Sequence, residues 1–170
     1  MKGIVIVNTG PGKGKTTAAV GAALRAAGTG KRVLFLQFIK AKASGELVAL
    51  AKFDTVQVRQ MGHGFILKDD PGPEDREKAR QAFKTASDEI LSGNWDLVVL
   101  DEICIALHYK LVEPKEIISL IQSRPADLHL ILTGRNCPDE VLEAADTVTR
   151  MEAVRHHYDQ GVKSQEGIEY

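Results

Sequence analysis

Several things are scarce in this chain. Aromatic residues make up 5% of the sequence, too few for a surface that stacks the bases of a single-stranded nucleic acid. The formal net charge is −1, so no large excess of positive charge draws the chain to phosphate backbones or anionic lipid, and neither nucleic acid nor a membrane is an expected partner. No apolar run approaches the ~20 residues that a membrane-spanning helix needs. The first apolar run begins almost at residue 1 and leaves no room for a signal peptide. Only two cysteines occur, Cys104 and Cys137. They lack the C-x-x-C spacing and neighbouring ligands of a zinc site, and read as two reduced, buried thiols of a cytoplasmic protein. Neither an internal repeat nor a linker-like stretch divides the 170 residues. One domain over residues 1–170 is expected, with 152–170 as a polar tail.

What is present is concentrated in one stretch, Thr9-Gly10-Pro11-Gly12-Lys13-Gly14-Lys15-Thr16-Thr17. It follows the apolar run Ile4-Val5-Ile6-Val7 and opens a segment of small residues with helical character. Strand, glycine-rich turn and helix in that order make a phosphate-binding loop. Glycines let successive backbone N–H groups curl around phosphate oxygens, and the helix adds free amides and the positive end of its dipole. Lys15 supplies a compact charge to the outer phosphates and the Thr16 hydroxyl a ligand for Mg²⁺. The usual pattern begins with glycine where this chain has Thr9.

The rest of the chain alternates between short apolar runs and helical patterns. Residues 3–8, 32–38, 55–59, 96–101, 128–132 and 146–151 read as strands. Residues 15–27, 46–52, 74–91, 114–123 and 138–144 read as helices. Continuous apolar runs without alternation mark a parallel sheet covered on both faces. The expected fold class is therefore α/β: a mostly parallel sheet with helices on both sides, a three-layer phosphate-loop sandwich of the recombinase-like branch. In that branch at least one other strand separates the first strand from the one carrying Asp101. Ligands of open α/β sheets bind beyond the carboxyl ends of the strands. That places Gln37, Lys40 and Lys42 after the second strand, and Arg135 after the strand 128–132, for contact with a ligand. Arg25 stands about two and a half turns into the first helix and either reaches the nucleotide or faces solvent.

The run Leu97-Val98-Val99-Leu100-Asp101-Glu102 delivers two carboxylates to the same sheet edge. In phosphate-loop proteins such an acid holds the magnesium, directly or through water. Asp101 and Glu102 are the expected metal partners of Thr16, with Glu102 a base or a second metal contact; alternatively the pair caps a helix that begins at Ile103. The stretch Met61-Gly62-His63-Gly64-Phe65-Ile66-Leu67 is either a loop that closes over something flat and apolar, or a connection with Phe65 tucked into the core.

Taken together, these stretches resemble the ATP:corrinoid adenosyltransferases of the phosphate-loop type. The matching segments are T-G-x-G-K-G-K-T-T from Thr9, V-L-F-L-Q-F-I-K over 33–40, G-H-G-F from Gly62, L-V-V-L-D-E-I over 97–103, L-T-G-R ending at Arg135, and the tail that ends Gly167-Ile168-Glu169-Tyr170. They follow the family's order over almost the whole chain, and Thr9 is itself typical of the family. The resemblance implies transfer of the 5′-deoxyadenosyl group of ATP to Co(I) of a reduced corrinoid, with release of triphosphate. It implies Mg²⁺ (or Mn²⁺), a homodimer, an electron-donating reductase as partner and a cytoplasmic place in adenosylcobalamin synthesis. It assigns Lys15 and Glu102 to catalysis, Glu102 as a metal holder. The loop residues, Arg25 and Arg135 go to the nucleotide. Phe65 and Leu67 go to the lower face of the corrinoid, Leu67 standing where an aromatic is usual. The family's extension ahead of the first strand is not in this sequence, so closure over the corrinoid or dimer contacts are expected to differ. The competing readings are a phosphate-loop ATPase, suggested by D-E-x-x at Asp101, a small-molecule kinase, and a nucleotide-binding module without catalysis.

Overall fold

The computed structural model describes residues 2–39, 44–62 and 71–169. Six strands form one sheet: β1 (Val5–Thr9), β2 (Val33–Gln37), β3 (Val56–Gln60), β4 (Leu97–Asp101), β5 (His129–Thr133) and β6 (Thr147–Arg150), in the order β3-β2-β4-β5-β1-β6. Every pairing is parallel, and β5 lies between β1 and β4, the separation expected of the recombinase-like branch. Each strand lies within two residues of its place in the sequence reading, β1 starting two residues later and the others within one.

The helices are α1 (Lys15–Gly28), α2 (Gly45–Leu50), α3 (Pro73–Leu91), α4 (Ile103–His108), α5 (Pro114–Ser123) and α6 (Asp139–Glu143); a 3₁₀ turn (His157–Gln160) follows in the tail. Proline stands at the first position of α3 and α5, where a missing N–H leaves no helical bond unmade. Asp75 and Glu116 then close the two starts by accepting from the backbone N–H groups of Gly72 (3.0 Å) and Glu113 (3.0 Å).

Two apolar cores sandwich the sheet, because side chains of a strand alternate between faces with a period of two. Val5, Val7, Leu34, Leu36, Val98, Leu100, Leu130 and Leu132 pack on one face with α3, α4, α5 and α6. On the other, Val33, Phe35, Leu97, Val99 and Ile131 meet Ala19, Ala23 and Ala27 of α1 and Leu47 and Leu50 of α2. The alanines recur every four residues, and their small side chains bring α1 close to the sheet. Each fully buried Leu, Ile or Phe contributes about 1.5–3 kcal/mol, so the middle of the sheet is a firm base for whatever its strand ends carry.

Candidate active site

Four neighbouring strands end on a polar residue at the same edge: Gln60 on β3, Gln37 on β2, Asp101 on β4 and Thr133 on β5. Gln37 is in register with both Gln60 and Asp101. All four sit two residues beyond a side chain of the α1 face, so the period of two turns them toward the helix that follows the phosphate-binding loop. Gln37, Asp101 and Thr133 are fully buried. A buried carboxylate is tolerated only with donors around it, and Asp101 has three. Its Oδ1 accepts from Thr16 Oγ1 (2.8 Å) and Thr133 Oγ1 (2.7 Å), and its Oδ2 from Gln37 Nε2 (3.1 Å).

The loop itself is braced from behind. Gly12 N–H donates to the Met151 carbonyl at 2.7 Å, and a Cβ on Gly12 would lie 2.7 Å from the Glu152 backbone, so no larger residue fits that approach. Lys15 folds back across the loop and donates from Nζ to the carbonyls of Gly10 (2.9 Å) and Gly12 (2.5 Å). Burial pushes its ammonium below the usual lysine range, partly offset by the Glu102 charge and reinforced by that of Arg135. Desolvated positive charge at the start of a 14-residue helix is a site made for an anion.

Glu102 occupies the left-handed region, φ 63. Its N–H donates to Thr133 Oγ1 at 2.9 Å, so the threonine that holds Asp101 also holds the backbone that aims Glu102. The reading of Glu102 as a side-chain cap for α4 is not borne out: it is the N-cap residue, but its side chain makes no capping hydrogen bond. Left-handed backbone at a residue with a Cβ costs about 1–3 kcal/mol and concentrates at functional positions. Accordingly, Glu102→Gly is expected to leave the melting temperature unchanged or higher while lowering turnover by about 100-fold. Thermal melts read beside initial rates check this, and a parallel fall of both would remove Glu102 from the site.

One cleft of ≈ 390 Å³ joins these groups, lined among others by Lys13, Lys15, Thr16, Glu102 and Arg135, within the range of small-molecule sites. Thr17 lines it too, Thr9 is buried at the end of β1 and Pro11 is exposed. Arg25 is exposed on the third turn of α1, about 15 Å along the helix from Lys15, and is not among the cleft residues. Phe65 and Leu67, together with His63, Lys40 and Lys42, lie outside the described residues. Cys104 and Cys137 are free and buried. A hydrogen bond between them, with burial, raises the Cys104 thiol well above its ordinary value.

The sequence reading carries Thr133 and the tail only within stretches that resemble the family, gives neither a role in the site, and assigns none to Gln60. Gly167, Ile168 and Glu169 line the cleft. The Glu169 carboxylate pairs with Lys13 and lies 2.9 Å from His157 Nε2, and the Lys13 hydrogen bond holds it below the usual carboxylate range. Polar tails carry no periodicity, so apart from the family-like ending at Gly167-Ile168-Glu169 no pattern in residues 152–169 points to the loop more than a hundred residues earlier.

Among the described residues no group of three or more His, Cys, Asp and Glu side chains converges on a metal position. The donor set that does converge, one hydroxyl and one carboxylate beside an anion site, fits Mg²⁺, which takes most of its ligands from phosphates and water. Thr16 directs its proton at Asp101, which turns the hydroxyl's lone pairs away from that carboxylate and leaves them for a cation.

Fold and site together define a phosphate-loop nucleotide-binding protein with a parallel sheet. A family model described as ATP:corrinoid adenosyltransferase BtuR/CobO/CobP matches residues 1–170, and the chain belongs to that family. It is 40% identical over 171 residues to a corrinoid adenosyltransferase of Pseudomonas aeruginosa, covering 99% of this chain and 84% of the relative. It is also 38% identical over 169 residues to the corrinoid adenosyltransferase of Escherichia coli K12, covering 99% and 86%.

Proposed function

We propose that this protein transfers the 5′-deoxyadenosyl group of ATP to Co(I) of a reduced corrinoid and releases triphosphate, as a step of adenosylcobalamin synthesis. The observation that carries the reading is that Lys15, Thr16, Glu102 and Arg135 line one cleft, in a chain that belongs to this family along its whole length. In the reaction the cobalt electron pair forms a bond to C5′. The C5′–O bond breaks, its pair leaves with the triphosphate, and cobalt is formally oxidised to Co(III). The attacking centre carries no proton, so no side chain has to act as a base. The protein's work is to align C5′ with cobalt and to stabilise charge building on the departing oxygen.

Lys15, the amides of the loop and α1, and Arg135 suit the second task. Mg²⁺ (or Mn²⁺), when bound by Thr16 and Glu102, would neutralise phosphate charge there; Asp101, three of whose lone-pair positions are taken by protein donors, acts by holding Thr16. The same reading gives the loop residues Thr9 to Thr17 to the nucleotide and Phe65 and Leu67 to the corrinoid. It takes residues 1–170 as one adenosyltransferase domain, working as a homodimer in the cytoplasm with an electron-donating reductase. No described helix is long and apolar enough to cross a membrane.

Nucleotide products test the chemistry. Triphosphate is expected in an amount equal to the alkylated corrinoid, and only when reduced corrinoid is present. ADP formed without corrinoid would identify an ATPase instead, and ADP formed only with another acceptor would identify a kinase.

A further inference from the structure

Behind Asp101 the side-chain hydrogen bonds continue across two more strands. Gln60 Nε2 donates to Gln37 Oε1 at 3.1 Å, and Gln37 Nε2 donates to Asp101 Oδ2 at 3.1 Å. A buried glutamine is an expensive choice at the end of the apolar strand VLFLQ, because it is desolvated and loses side-chain freedom. Its two ends are chemically different, and the neighbours decide which way it faces. With Gln60 donating to the oxygen, the Gln37 amide has its N–H₂ toward the carboxylate. Flipped, it would set oxygen against oxygen on one side and donor against donor on the other.

From these bonds we propose that Gln37, braced by Gln60, is a positioning residue for the divalent cation of the bound nucleotide. It fixes the rotation of the Asp101 carboxylate, and through it the Thr16 hydroxyl. The proposal rests on the reading of Thr16 as a metal ligand. Oδ1 lies off the axis of the carboxylate's last bond, so its two donors, Thr16 and Thr133, already oppose rotation, but both pull on one oxygen. The Gln37 donor on Oδ2 holds the opposite oxygen and tightens the acceptor that orients the Thr16 proton. The backbone here is tied independently, Phe38 N–H to the Asp101 carbonyl (3.0 Å) and Met61 N–H to the Gln37 carbonyl (2.8 Å). A change of side chain therefore leaves the strand ends in place, and the effect on the metal is separable from an effect on the fold.

The test measures ATP affinity in excess EDTA, and Mn²⁺ affinity in the presence of ATP by electron paramagnetic resonance. The variants are Gln37→Leu, Gln60→Leu, the double variant and Thr16→Val, each checked by thermal melting. Gln37→Leu is expected to weaken Mn²⁺ about tenfold, the scale of one hydrogen bond to a charged group, with metal-free ATP affinity unchanged within about twofold. Gln60→Leu, on the edge strand and milder for the fold, should weaken Mn²⁺ about threefold. The double variant should match Gln37→Leu, because Gln60 acts through Gln37.

Unchanged Mn²⁺ affinity in Gln37→Leu beside a loss in Thr16→Val would overturn the relay and leave the metal reading standing. Equal losses with and without metal would reduce Gln37 to a structural residue. Thr16→Val with undiminished Mn²⁺ affinity would instead remove the metal reading, and the relay with it.

Discussion

Lys15→Ala is expected to lower adenosyl transfer by about 10²–10³-fold, the scale of one lost donor to a developing oxyanion, with little loss of stability. Lys15 is only 7% exposed, and burial already pushes its ammonium toward the neutral form. Removing it relieves that desolvation and gives up two bonds to loop carbonyls, while the Gly12 bond to Met151 still holds the loop from behind. Stability and catalysis therefore separate. Initial rates with ATP and reduced corrinoid, read beside a thermal melt, provide the check. Turnover within tenfold of the parent would take Lys15 out of the reaction. Lys15→Arg is not expected to restore activity, because a planar fork does not fit the place of a compact ammonium folded across the loop.

The second large effect falls on both properties at once. Asp101→Asn keeps the volume but replaces one acceptor with a donor. Thr16, Thr133 and Gln37 all donate into this fully buried position, so in either orientation the new N–H₂ faces at least one donor. Leaving buried polar groups so opposed costs about 1–3 kcal/mol, a fall in melting temperature of about 2–12 °C for a chain of this size. Because Thr16 loses its fixed partner as well, turnover is expected to fall about 100-fold. A variant that melted earlier but turned over normally would show that Asp101 serves only the fold.

These two residues also show how differently the sequence exposes its parts. Lys15 sits in a contiguous motif whose meaning is local: strand, turn and helix dictate where the amides and the ammonium point. Asp101 is legible for a similar reason, as an acid ending an apolar run. The strands are legible because fully buried parallel strands are written as unbroken apolar segments, and β1, β2, β4 and β5 each fit that description. Arg25 was left open by the sequence, since helical spacing gives its distance along α1 but not which face the sheet covers.

The phosphate-binding loop, the α/β class and the strand that carries Asp101 are legible in the chain alone, because each follows from bonding and burial among neighbouring residues. That Thr133, Gln37 and Gln60 stand in a row with Asp101, and that Glu169 reaches Lys13, follows from the folded arrangement. Those meetings depend on strand order and register, long-range pairings that no stretch of neighbouring residues encodes.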